Sequence, residues 1–182
     1  MSFADYLKKM RGTTKGSPPR VSNSEIFWSW IGAFLGIGAC GAFTQYFFSG
    51  HDLTLIIGSF GASAVLAYGA VRSPLAQPRN LIGGHVLSAI IGVLTYKLLH
   101  QYPWAAEAIA VATAIAVMHA TRTLHPPGGA TALIAVIGSD KIHAIGFYYV
   151  LIPATLGPLI LLLVALLVNN IPSTRRYPEI WF

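Results

Sequence analysis

The sequence predicts an all-α integral membrane protein: two inverted three-segment repeats, each with a broken half-helix meeting its counterpart at the bilayer midplane. Three observations predict it. Of 182 residues, 54% are hydrophobic and only 10% charged, and the long apolar runs approach the roughly 20 residues that a bilayer core requires. Gly61-Ala62-Ser63-Ala64-Val65-Leu66-Ala67 matches Gly129-Ala130-Thr131-Ala132-Leu133-Ile134-Ala135, small for small and aliphatic for aliphatic, an offset of 68 positions from 61 to 129. Duplicated units of this kind are a signature of transporters. With six crossings, one side collects Lys8, Lys9, Arg11, Lys15, Arg20, Arg72, Arg79, Arg122, Arg175 and Arg176, which is ten of the twelve basic residues. The other side holds Lys97 and Lys141. The positive-inside rule then places both termini in the cytoplasm.

Residues 1–25 form a polar cytoplasmic segment in which Phe3, Tyr6, Leu7 and Met10 fall at helical spacing, as in a short interfacial helix. The membrane domain spans residues 26–171, and residues 172–182 are a cytoplasmic tail. The first apolar run, 26–48, is as long as a full span and lacks a cleavage site, so it reads as an anchor and not a secretory signal. Its Gly32 and Gly36 permit close helix contact, in a homo-oligomer or equally within one chain. Segment two, 53–71, is broken near 58–61. Segments three and four, 81–99 and 104–120, carry the intramembrane ionisable residues His85, Glu107 and His119. Segment five, 128–138, is the second half-helix, and Pro153 and Pro158 bend segment six, 145–169. Cys40 is the one cysteine, so no internal disulfide forms.

The centre of the chain is His125-Pro126-Pro127-Gly128-Gly129-Ala130-Thr131. The two prolines end any helix arriving from residue 105 and suit the first turn of a new one. Gly128 and Gly129 leave that turn without side chains, so its free N–H groups and positive dipole end make an anion site. Opposite orientation of the two repeats brings the matching half-helix to the same point, with extended pieces at 53–56 and 121–124 leading in. The substrate ligands expected from the residues are Ser59, Gly61 and Ser63 from one copy and Pro127, Gly128, Gly129, Ala130 and Thr131 from the other. His125 supplies an N–H to the anion or caps a carbonyl. Ser63 and Thr131 equally suit bonds back to their own helices. Arg122 lines an inner vestibule, and Arg79 anchors the turn before segment three.

Gly58-Ser59-Phe60-Gly61-Ala62-Ser63, Ser73-Pro74-Leu75-Ala76-Gln77-Pro78-Arg79-Asn80, Gly83-Gly84-His85, the 125–131 run, and Asn169-Asn170 followed by Arg176-Tyr177-Pro178 resemble the HPP family of integral membrane proteins. The resemblance implies four transmembrane helices, two fewer than the six segments counted here, the difference being two half-helices that hydropathy passes over. It also implies nitrite as substrate, in agreement with the anion site.

Transport of a small inorganic anion is therefore the expected function, and not enzymatic activity. An intramembrane enzyme is the main rival, yet no Ser-His-Asp context, His-Glu-x-x-His or phosphate loop is present. A non-transporting scaffold is the other, and the duplicated breaks argue against it. Carboxylates are few, so neither a metal nor a cofactor is expected. The net charge of +6 belongs to cytoplasmic flanks facing anionic lipid, with no nucleic acid as partner. The setting expected is a bacterial inner (plasma) membrane.

Overall fold

In the computed structural model the described residues are Leu7, Lys9, Met10, 19–47 and 58–182. Leu7, Lys9 and Met10 are helical and exposed. The rest of the expected interfacial helix and the expected extended piece at 53–56 lie outside the described residues.

Every regular element among the described residues is helical: α1 (Asn23–Phe47), α2 (Gly58–Ala64) running into a π-helical turn (Val65–Gly69), a 3-10 turn (Pro74–Ala76), α3 (Pro78–Leu99), α4 (Pro103–Ala120), α5 (Pro126–Ile137), α6 (Asp140–Ile145), α7 (Tyr148–Leu151) and α8 (Leu156–Val168). Prolines 78, 103 and 126 open α3, α4 and α5 at the position where a missing N–H is harmless. Each of these helices consequently starts one to three residues before the apolar run that announces it. Pro153 ends α7, whereas Pro158 sits in the first turn of α8 and does not interrupt it. Segment six is thus two helices and not one bent one.

Among the described residues, four stretches are long and apolar enough to cross a membrane: α1, α3, α4 and Tyr148–Val168. α5 is shorter, at 12 residues. Phe34, Leu98, Leu163 and Leu167 stand exposed on the bundle, as suits side chains facing lipid.

Small residues decide how closely the helices approach. α3 and α5 make the most extensive contact, and α4 packs on both. A Cβ at Gly92 would stand 2.5 Å from the Ala132 carbonyl oxygen, and one at Gly128 would stand 2.8 Å from that of Gly84. The second group is α1 with α8 and the π-helical turn. There the Tyr68 ring fills the groove left by Gly32 and Gly36 and donates to the Leu161 carbonyl at 2.9 Å. Phe60 likewise occupies the space that a side chain at Gly157 would take. The Gly32/Gly36 pair therefore serves packing within the chain.

Ends of the bundle are distinguished by their contacts. At one end Arg72 donates to the Thr174 carbonyl, Arg79 to that of Thr121 and Asn80 to that of Leu124. At the other end the His143 ring stacks on Tyr96 at 3.7 Å, beside Lys97. The tail is an ordered part of the first end. Tyr177 donates its hydroxyl to the Ala76 carbonyl, and Gln77 accepts from the backbone N–H groups of Glu179 and Ile180.

Arg175 clamps that tail to the bundle. Its guanidinium reaches the Glu25 carboxylate at 2.8 Å, the Glu25 carbonyl, Ser29 Oγ, Asn169 Oδ1 and the Tyr68 carbonyl. Lysine cannot reproduce a planar fork of donors. Arg175→Ala and Arg175→Lys are both expected to lower the thermal midpoint of the detergent-solubilised protein by several degrees; an unchanged midpoint in either would mean that the clamp is ornamental.

Candidate functional site

α2 packs on α5 and α5 on α3, and five polar side chains converge where they meet. Ser59 and Ser63 come from α2, His85 from α3, His125 from the cap of α5, and Thr131 from its second turn. All five are buried, none more than 1% exposed. They satisfy one another: Ser63 Oγ lies 2.7 Å from His85 Nε2 and 2.9 Å from His125 Nε2, and Thr131 Oγ1 lies 2.7 Å from His85 Nδ1 and 3.0 Å from Ser59 Oγ. Among the described residues no buried side-chain nitrogen or oxygen lacks a partner, the condition that makes a polar cluster tolerable in an apolar bundle.

Ser63 and Thr131 occupy matching positions of the two sequence copies, and they hold the two nitrogens of one ring, His85. Surrounding groups fix the ring in place. Phe60 meets it edge-on, with centroids 5.4 Å apart, and the His125 ring stands 5.1 Å away. His125 Nδ1 donates to the Leu75 carbonyl at 2.8 Å, and the Tyr149 hydroxyl to the Thr131 carbonyl at 3.0 Å. Thr131 does bond back to its own helix, since its hydroxyl also has the Pro127 carbonyl within reach at 3.2 Å, one turn back. His125 likewise serves both as a carbonyl cap and as a member of the cluster.

Other residues of the expected ligand set are placed elsewhere. Gly128 packs against α3, and its N–H donates to the His125 carbonyl at 2.8 Å. Gly129 and Ala130 line an apolar groove shared with Val111, Ile115 and Met118 of α4. Gly61 is exposed, and a Cβ there would meet nothing within 4 Å. Pro127 enters the cluster through its carbonyl alone. The convergence is thus one of side chains, while the glycines mediate helix contact or face outward. His119 is exposed and Glu107 half-buried, both on α4 and outside the cluster.

Arg122 lines a cavity of about 290 Å³ with Pro74, Gln77, Arg79, Asn80 and the tail residues Ile180, Trp181 and Phe182. Its backbone is left-handed, φ 58°. The Thr123 N–H returns to the Met118 carbonyl and that of Arg122 to the His119 carbonyl, which is the Schellman end of a helix, with arginine where glycine normally stands. No group of three or more metal-ligating side chains occurs among the described residues.

Sequence reasoning left His85 outside the ligand set, although its position in an apolar segment was a signal. Tyr149 and the Leu75 carbonyl gave none, because their part depends wholly on how α7 and the 3-10 turn fold back.

Two transmembrane proteins of Dictyostelium discoideum are similar to this chain, at 44% identity over 99% of it and 43% over all of it. The chain spans 58% and 65% of their respective lengths. No solved structure matches it. Residues 18–178 match the family described as "HPP, transmembrane region", and the chain belongs to the HPP family of membrane proteins.

Proposed function

We propose that the protein carries a small inorganic monoanion of the nitrite class across the membrane, and that the anion is handled by the cluster of Ser59, Ser63, His85, His125 and Thr131. The observation that carries this reading is the pairing of Ser63 and Thr131, equivalent residues of two copies, on one buried imidazole. The cluster also ties α2, α3 and α5 together, yet hydrophobic side chains of similar volume would pack the same space without a desolvation cost. Each hydroxyl and each ring N–H is a donor that can turn from its present partner to an oxyanion. The N-terminal dipole of α5 adds partial positive charge. In this reading the two halves are inverted repeats, both termini are cytoplasmic, and the Arg79 and Arg122 cavity is the inner vestibule, where guanidinium groups gather anions from bulk solution.

The direct test is uptake of nitrite into proteoliposomes against protein-free vesicles. Uptake indistinguishable from the protein-free control removes the proposal, and equal uptake of sulfate removes its restriction to monoanions.

Arg122→Gly separates recruitment from folding, because the two respond with opposite sign. Glycine relieves a left-handed backbone that costs an arginine about 1 kcal/mol, so the thermal midpoint is expected to rise. Nitrite uptake is expected to fall several-fold at low ionic strength, with the difference shrinking as salt screens the vestibule. A rise in both quantities would show that Arg122 serves topology alone.

A further inference from the structure

We propose that His85 takes up one proton with each anion, so that the protein is a proton–anion cotransporter. The inference rests on the anion-transport reading above and names its coupling ion.

The hydrogen bonds fix the proton positions. His125 Nδ1 faces the Leu75 carbonyl at 2.8 Å, which can only accept, so it carries a hydrogen. With a neutral ring, His125 Nε2 is then a lone pair and takes the Ser63 hydroxyl hydrogen at 2.9 Å. Ser63 Oγ therefore accepts from His85 Nε2 at 2.7 Å. His85, when neutral, has its lone pair on Nδ1, where it takes the Thr131 hydroxyl hydrogen at 2.7 Å.

The same heavy-atom positions also fit a protonated His85. A proton on Nδ1 makes that nitrogen a donor to Thr131 Oγ1, and the Thr131 hydroxyl turns to the Pro127 carbonyl at 3.2 Å or to Ser59 Oγ at 3.0 Å. One hydroxyl rotates, and no heavy atom has to move. The step balances simply: the Nδ1 lone pair forms an N–H bond with a proton brought by water, and nothing is oxidised or reduced.

The surroundings then tie the proton to an anion. Against α3 pack α4, α5, α7, α8 and the 3-10 turn. The groups these elements and α2 present to His85 are Ser59, Phe60, Ser63, His125, Thr131 and the Tyr149 hydroxyl behind Thr131, of which only His125 and Tyr149 titrate. No carboxylate among the described residues bonds to the cluster; Glu25 is held by Arg175 at the end of the bundle. An imidazolium at His85 is a positive charge without a protein counter-charge, which an apolar interior disfavours strongly. A monoanion beside it supplies that charge, and by linkage each ligand strengthens the binding of the other.

Two measurements test this. In titration calorimetry with sodium nitrite, performed in buffers of different ionisation heat, about one proton is expected to enter the protein per anion bound. Affinity is expected to fall about tenfold for each pH unit across the alkaline range, the slope for one linked proton. Binding with no proton uptake overturns the coupling and leaves anion transport standing. No binding by calorimetry and no nitrite flux overturns both. In proteoliposomes, nitrite uptake should follow an imposed pH gradient, ignore a potassium-valinomycin potential and acidify the lumen as monitored by a trapped dye. Flux that follows the potential instead marks a uniporter and refutes the coupling. His85→Gln retains a donor and an acceptor but cannot take a proton. Its binding is expected to lose proton uptake, and retention of one proton per anion in a folded His85→Gln protein overturns the assignment to His85.

Discussion

His85→Leu is expected to reduce nitrite uptake to the protein-free background and to lower stability at the same time. The ring links two helices through Ser63 Oγ at 2.7 Å and Thr131 Oγ1 at 2.7 Å, and leucine offers neither a donor nor an acceptor. A buried polar group left without its partner costs about 1–3 kcal/mol. Ser63 retains His125, and Thr131 retains the Pro127 carbonyl, so the loss lies toward the lower end and the protein is expected to remain folded. Transport suffers more, since the ring that joins Ser63 to Thr131 is gone. The paired measurement is uptake at matched protein density alongside thermal unfolding in detergent. Wild-type flux through a folded His85→Leu protein would eliminate the cluster as the anion's path.

Gly84→Val is expected to have a comparable effect without altering any polar atom. A Cβ at residue 84 would stand 2.5 Å from His125 Cβ and 3.1 Å from the Thr123 carbonyl oxygen. The second is backbone and cannot swing aside, so valine must push the segment 121–125 away from α3. Overpacking of this kind costs about 1–3 kcal/mol, and the displacement carries His125 from Ser63. Gly38→Val is the matched control, since a Cβ there meets nothing within 4 Å and residue 38 is exposed. A lower thermal midpoint and little uptake are expected for Gly84→Val, and wild-type values for Gly38→Val. Equal behaviour of the two would mean that the α3–α5 approach does not position His125.

Much of this could be read from the chain alone. Apolar runs, proline positions and the 68-position offset mark the long helices and the short α5, because length, hydropathy and a missing N–H act locally; Pro153 and Pro158 alone suggested a bend where the chain makes two helices. The offset also pairs Ser63 with Thr131 before any fold is known. What the sequence could not decide is direction around each helix axis. A uniformly apolar helix carries no stripe to separate the face toward lipid from the face toward its neighbours. In water the contrast between polar and apolar side chains sets that rotation; in a bilayer both surroundings are apolar. Rotation is instead set by where the helices can approach, backbone to backbone at Gly84, Gly92 and Gly128 and backbone to the Phe60 ring at Gly157. That packing turned Gly129 toward α4, laid Gly128 on α3, and aimed His85 between the hydroxyls of the two copies.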